Sequence, residues 1–334
     1  MIKLPGVRRL LPSDARPARP RAAGGAGDDY GARAEPDWRT IDWQAHLGQI
    51  EVGGARVNYV DLPAAAGAAA GELPVVLVHG LDGCWQNWLE TLPRMALGRR
   101  AIALDLPGFG ASERPEEISI PGFAACVEEL CAQLDTGPVA VVGNSMGGFV
   151  SAELAISAPD RVERLVLVSP AGLSTGVVAR RPAVGLARVM GAITQSVTAA
   201  TLSRSAIVRP QLRHLMLGYV FRHPTRLAPD LMYEQVQRAG SPAFMAALDA
   251  IFDWDFRDRL PEIRCPTLII WGRDDMVISV EDADGYEDAI PGARQLVLDD
   301  TGHVPQLERP QTFNELLLDF LAEEAREDSA AAAA

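Results

Sequence analysis

Between Val139 and Gly148 the chain reads VAVVGNSMGG, and Ser145 stands at the centre of a G-x-S-x-G motif formed by Gly143, Asn144, Ser145, Met146 and Gly147. A short β-branched run (Val139, Val141, Val142) precedes it and a helical pattern follows. The expected geometry is a buried strand turning sharply into a helix. Such a turn holds the central serine in a strained backbone conformation with its hydroxyl projecting outward. Side chains two residues to either side would collide there, so glycine fills both places. The start of the helix behind Ser145 supplies free N–H groups and a positive dipole end where an oxyanion would develop. The chemistry this suggests is nucleophilic attack by a serine hydroxyl.

A serine hydroxyl needs a base, and the chain has five histidines. His46 precedes the first expected hairpin, and His214 and His223 fall in a helical stretch. His79 ends a strand in Val78-His79-Gly80-Leu81, where a histidine bonded to the backbone is the better reading. His303 follows the last strand, in Asp299-Asp300-Thr301-Gly302-His303-Val304-Pro305, and a loop there reaches the top of a parallel sheet. His303 is therefore the candidate base. Its orienting acid should lie in Trp271-Gly272-Arg273-Asp274-Asp275, just past the preceding strand, because a carboxylate fixes the imidazole tautomer. Asp299 and Asp300 are too close along the chain to face His303 across a site. Oxyanion donors are expected from the backbone N–H of Met146, after the nucleophile, and of Leu81, in the turn His79-Gly80-Leu81-Asp82-Gly83.

The elements that must position these groups are legible as alternation. Gln49–Val52 and Arg56–Val60 flank Gly53-Gly54 as an antiparallel hairpin. Apolar runs at 75–78, 101–104, 139–142, 165–168, 268–271 and 295–298 then alternate with helical segments, the pattern of a parallel sheet with crossover helices. Phe313, Leu316, Leu317, Phe320 and Leu321 mark a final amphipathic helix. The alternation breaks from Leu173 to about Arg259, where apolar helical patterns are interrupted by prolines. An insertion there would sit over the carboxyl ends of the strands. The expected organisation is a disordered arm at 1–40, a core at 41–172 and 260–326, a helical cap at 173–259 and a frayed tail at 327–334. Apolar residues of the cap, in Arg188–Tyr219 and Phe244–Phe256, read chiefly as packing around an apolar pocket. Trp85 and Trp88 belong either to the pocket wall or to the core.

Composition narrows the function classes. Hydrophobic residues make up 48% of the 334 and the mean hydropathy is +0.05, ample for a packed core. A net charge of −13 speaks against a nucleic-acid surface. Cys84, Cys126, Cys131 and Cys265 match no metal spacing and read as small buried hydrophobes in a reducing, cytoplasmic compartment. No metal or organic cofactor is implied. No apolar run of about 18 residues would span a membrane, although the cap could rest on a lipid surface. The basic start lacks the apolar stretch of a secretory signal.

With these motifs in place the sequence resembles the α/β-hydrolase superfamily. The matches are His79-Gly80, the run from Asp105 to Ser112 (DLPGFGAS), Gly143 to Gly148, Gly272-Arg273-Asp274-Asp275, and Gly302-His303 followed by Glu308-Arg309-Pro310. The resemblance implies an α/β fold: a mostly parallel sheet, helices on both faces and a helical cap after strand 6. It implies the order Ser145, Asp275, His303 for nucleophile, acid and base. The fourth place of G-x-x-D selects Asp275 over Asp274, and the alternative acid position after strand 6 reads Val168-Ser169-Pro170-Ala171, without a carboxylate. The chain is similar to capped monoacylglycerol-lipase-like and bacterial esterase/lipase members, which implies a small-molecule ester with an apolar acyl part as substrate. It is also similar to meta-cleavage-product C–C hydrolases around Asn144. Those usually carry Trp after the catalytic histidine, where this chain has Val304, and a Gly-Pro oxyanion loop, where it has Leu81-Asp82-Gly83. A non-catalytic ligand-binding protein on the same scaffold is the third reading.

Overall fold

The computed structural model describes residues 29–69, 71–174 and 207–323. Eight strands form one sheet: β1 (Leu47–Val52), β2 (Ala55–Leu62), β3 (Val75–Val78), β4 (Ala101–Leu104), β5 (Val139–Asn144), β6 (Val162–Val168), β7 (Thr267–Gly272) and β8 (Arg294–Leu298). Their spatial order is β1-β2-β4-β3-β5-β6-β7-β8. The β1–β2 hairpin and the β2–β4 pair are antiparallel, and every later pairing is parallel. Parallel strands covered on both faces need apolar residues at successive positions. Accordingly every residue of β3, β4, β5 and β7 is buried.

Alternate side chains feed two cores. Val76, Val78, Val139 and Val141 point into one, shared with α2 (Ile120–Gln133) and α3 (Met146–Ser157). Val75, Leu77, Ala140 and Val142 point into the other, closed by α1 (Leu92–Ala96) and the last helix. The chain leaves β3 for β4 on one side and continues to β5 and β6 on the other. The crevice between the carboxyl ends of β3 and β5 is thus the topological switch point, where such sheets hold their ligands.

Among the described residues three α-helices lie between β6 and β7: α4 (Pro210–Leu217), α5 (Pro229–Val236) and α6 (Phe244–Asp253). Pro210 and Pro229 each open a helix, where the missing N–H costs nothing. The expected cap residues 175–206, including most of the Arg188–Tyr219 stretch, lie outside the described residues. The Phe244–Phe256 stretch packs on the core. Ala247 and Ile251 are buried, the Phe256 ring lies 4.3 Å from that of Phe149, and Trp254 donates from Nε1 to the buried Glu153. Beyond β7 come α7 (Glu281–Ala289), α8 (Pro305–Glu308) and α9 (Pro310–Leu321). No helix among the described residues is long and apolar enough to cross a membrane.

The N-terminal segment departs from the sequence reading. Residues 29–40 are not a disordered arm: Tyr30 and Trp38 are buried in the second core. Asp29 accepts from Thr312 N at 2.9 Å. It thereby caps α9, whose own N-cap residue Arg309 supplies no side-chain bond. Glu90, itself buried, accepts from Ala34 N and from Trp38 Nε1. Isolated aromatics in a Gly-, Ala- and Pro-rich stretch have no periodicity to announce such packing. Residues 1–28 and the tail at 327–334 lie outside the described residues.

Candidate active site

Ser145 sits between β5 and α3 with φ 58° and ψ −120°, a strained conformation for a residue with a side chain. The flanking glycines are required by space. A Cβ on Gly147 would fall 2.2 Å from Val78 O, and one on Gly143 would fall 2.2 Å from Gly147 O. A Cβ on Gly80 would lie 3.1 Å from Ser145 Cβ, so the turn after β3 lies against the serine. Met146 is the first residue of α3, which leaves its N–H without a carbonyl one helical turn back. Gly83 N closes a turn onto Gly80 O at 3.1 Å, with Leu81 and Asp82 at its corners. Both proposed oxyanion donors therefore border the β3–β5 crevice.

His303 and Asp275 meet. Nδ1 of His303 lies 2.7 Å from Asp275 Oδ2, with the two side chains 7% and 0% exposed. The same oxygen accepts from Trp271 Nε1 at 3.1 Å, while Oδ1 accepts from Val277 N and Ile278 N at 2.8 and 3.0 Å. Two donors per oxygen fix the carboxylate plane and hence the imidazole it faces. Asn144 ties this loop to the serine: its Nδ2 donates to Val168 O at 3.0 Å and to His303 O at 3.2 Å. The close approach of the loops is again paid for by a glycine, since a Cβ on Gly272 would sit 1.9 Å from Gly302 O. The neighbouring carboxylates face elsewhere. Asp274 lies 3.8 Å from Arg222 Nε, Asp299 pairs with Arg273, and Asp300 binds His223 Nε2 at 2.7 Å.

His79 is structural. Its Nε2 accepts from Leu106 N at 2.9 Å, so Nδ1 carries the proton and donates to Gly80 O at 2.7 Å. Burial holds its pKa below the ordinary value, and the neutral ring fixes the turn that carries Leu81. Asp105, at the end of β4, anchors the same turn from beyond: its carboxylate accepts from Trp85 N, Ala111 N and Asn58 Nδ2. Trp85 and Trp88 belong to the core, against Trp43 and Phe313 respectively. Sequence reasoning missed Asp82 and Glu308 as organisers. Asp82 accepts from Gly240 N and Ser241 N, clasping the turn after β3 to the insertion. Glu308 accepts from the N–H groups on either side of His303. Asp82 leaves no sequence signal, because its partners are backbone groups of a distant segment; Glu308 stands in the Glu308-Arg309-Pro310 match, but residue types alone do not show that it holds the loop before it. Among the described residues no cluster of His, Cys, Asp and Glu could hold a metal ion.

A family model described as the alpha/beta hydrolase fold matches residues 74–310. The chain belongs to this family. The α/β-hydrolase relatives include a 2-hydroxy-6-oxo-2,4-heptadienoate hydrolase of Pseudomonas putida, 33% identical over 301 residues that cover 84% of this chain and 98% of the relative. A dihydrolipoyllysine-residue acetyltransferase component of an acetoin cleaving system, also of Pseudomonas putida, is 32% identical over 277 residues, covering 82% and 68%. Among solved structures, an enol-lactonase of Burkholderia xenovorans superposes with a TM-score of 0.66 at 25% identity, covering 82% of this α/β-hydrolase chain and all (100%) of the lactonase.

Proposed function

We propose that this chain is a serine hydrolase of carboxylic esters acting through an acyl-enzyme on Ser145. The observation that carries the reading is the 2.7 Å contact of His303 Nδ1 with the buried side chain of Asp275, on a loop bonded to the residue before a strained serine. In this reading Nε2 of His303 takes the Ser145 proton as Oγ attacks the acyl carbon. The N–H groups of Leu81 and Met146 receive the tetrahedral oxyanion. His303 then protonates the departing alcohol, and afterwards draws a proton from the water that cleaves the acyl-enzyme. The likeness to an enol-lactonase supports cleavage of an ester-type C–O bond. The insertion, bonded to the oxyanion turn through Asp82 and to the histidine loop through Val220, serves as the cap over an apolar acyl pocket.

A second reading, hydrolysis of a C–C bond in a dienoic ring-fission product, is favoured by the heptadienoate hydrolase relative. Both readings use the same three side chains, so only substrates divide them. Turnover of nitrophenyl esters of graded chain length, measured beside turnover of a ring-fission product, decides. The ester reading expects kcat/KM to be higher for at least one ester. A higher kcat/KM for the ring-fission product overturns it.

A further inference from the structure

We propose that Tyr30 is a positioning residue for His303, acting through the buried carboxylate of Glu308, so that the N-terminal segment is part of the site's machinery. The inference rests on the reading of Ser145, His303 and Asp275 as a hydrolytic triad.

Three consecutive N–H groups hold the backbone that carries the imidazole. Gly302 N donates to Glu308 Oε2 at 3.0 Å, Val304 N to Glu308 Oε1 at 3.1 Å, and His303 N to Val220 O at 2.8 Å. Glu308 is completely buried, and its Oε2 also accepts from Arg222 N at 2.8 Å and from the Tyr30 hydroxyl at 2.6 Å. The Tyr30 oxygen in turn accepts from His223 N at 2.7 Å. This hydroxyl therefore joins three segments that are remote in sequence: the N-terminal strap, the insertion and the histidine loop.

The seat of Tyr30 is built. Gly31 N donates to Glu308 O at 2.8 Å, and a Cβ on Gly31 would lie 2.7 Å from Arg226 O. The ring is flanked by the guanidinium groups of Arg226 and Arg309 and meets the edge of His223.

The ionisable groups around the pair are Arg226, His223 and Arg309 against the Tyr30 ring, Asp29 paired with Arg309, Arg222 beside Glu308, and Asp300, which pairs with Arg222, His223 and Arg309. Burial and the Glu308 charge push the Tyr30 pKa far above the usual phenol range, so the hydroxyl remains a donor. Burial raises the Glu308 pKa, and its hydrogen bonds, the one from Tyr30 foremost, pull it back. Loss of the Tyr30 donor would raise it further. Protonation of Glu308 would then displace an N–H partner beside His303 at a higher pH than in the parent protein.

The test is Tyr30→Phe in the full chain, which keeps the ring and removes only the hydroxyl. A fluorophosphonate counts functional Ser145 sites, and nitrophenyl-ester turnover per counted site is followed from about pH 5 to about pH 9. The expected result is a fall in kcat per site of about tenfold, the scale of one hydrogen bond to a charged group. KM should stay nearly unchanged and the acid limb should move to higher pH. In a Glu308→Gln background the same substitution should no longer move the acid limb, because the amide still accepts a hydrogen bond but does not titrate. A Tyr30→Phe protein with fewer countable sites but the parent's kcat per site and acid limb overturns the inference, whether or not Glu308→Gln folds. An acid limb that still moves in the double variant overturns the route through Glu308. If the parent protein takes no label at Ser145, the triad reading falls and this inference with it. A labelled parent with an unchanged variant removes only the role of Tyr30.

Discussion

Asp275 and His79 show how two residues at strand ends are held for different purposes. Asp275 receives four donors and presents one oxygen to His303. Its replacement by Asn keeps the volume but offers an amide that can stabilise the wrong imidazole tautomer. Asp275→Asn should lower kcat by about 10⁴ while leaving KM nearly unchanged; a loss confined to KM would remove the residue from the chemistry. His79, by contrast, spends both ring nitrogens on backbone groups. Burial depresses its folded pKa below the ordinary 6.5, so below pH 6.5 the unfolded chain takes up a proton that the native ring refuses. The stability it contributes is complete above pH 6.5 and is lost as the pH falls, at up to about 1.4 kcal/mol per pH unit. Urea unfolding at pH 7.5 and 5.5 should therefore show a smaller acid loss in His79→Gln than in the parent. Equal losses would contradict the buried neutral ring.

At the scale of elements, the N-terminal strap has two anchorages with different consequences. Tyr30 reaches the histidine loop, whereas Trp38 fills the second core and donates to Glu90, far from Ser145 in the contacts it makes. Burial already raises the Glu90 pKa, and the Trp38 donor works against that rise. Trp38→Ala leaves a cavity and deprives this carboxylate of a partner. It should cost about 3–5 kcal/mol in urea unfolding, as large-to-small core changes do, with kcat per folded molecule preserved. A loss below about 1 kcal/mol would mean that the strap is only loosely docked. The insertion is held by the same kind of polar clasp. Asp82 takes the N–H groups of Gly240 and Ser241, and Asn87 donates to Gln235 at 2.6 Å. These clasps add direction to an apolar seat, since the insertion also buries Leu231, Met232, Ala247 and Ile251 in the two cores.

Across the whole molecule, what the sequence made legible follows from how burial is achieved. Strands covered on both faces must be continuously apolar, so β3 and β4 fall at the residues expected, and β5 to β8 differ only at their ends. The G-x-S-x-G turn is legible because its glycines answer to backbone collisions that any side chain would meet. Asp274 and Asp275 are adjacent, and the residues alone leave them equal; the resemblance selects Asp275, and the fold turns it alone toward His303. The strap and Glu308 were not legible in their roles. Tyr30 and Trp38 are single aromatics without a repeat, and Glu308 binds N–H groups of segments around 222 and 302–304, a pattern with no trace along the chain. A Ser145 hydroxyl made nucleophilic by His303 is most directly reached by one measurement. Intact-protein mass spectrometry after fluorophosphonate treatment, with peptide mapping, should find one adduct per chain, on Ser145, and none in His303→Ala. An unlabelled parent, or a His303→Ala protein labelled as fast as the parent, would contradict the account.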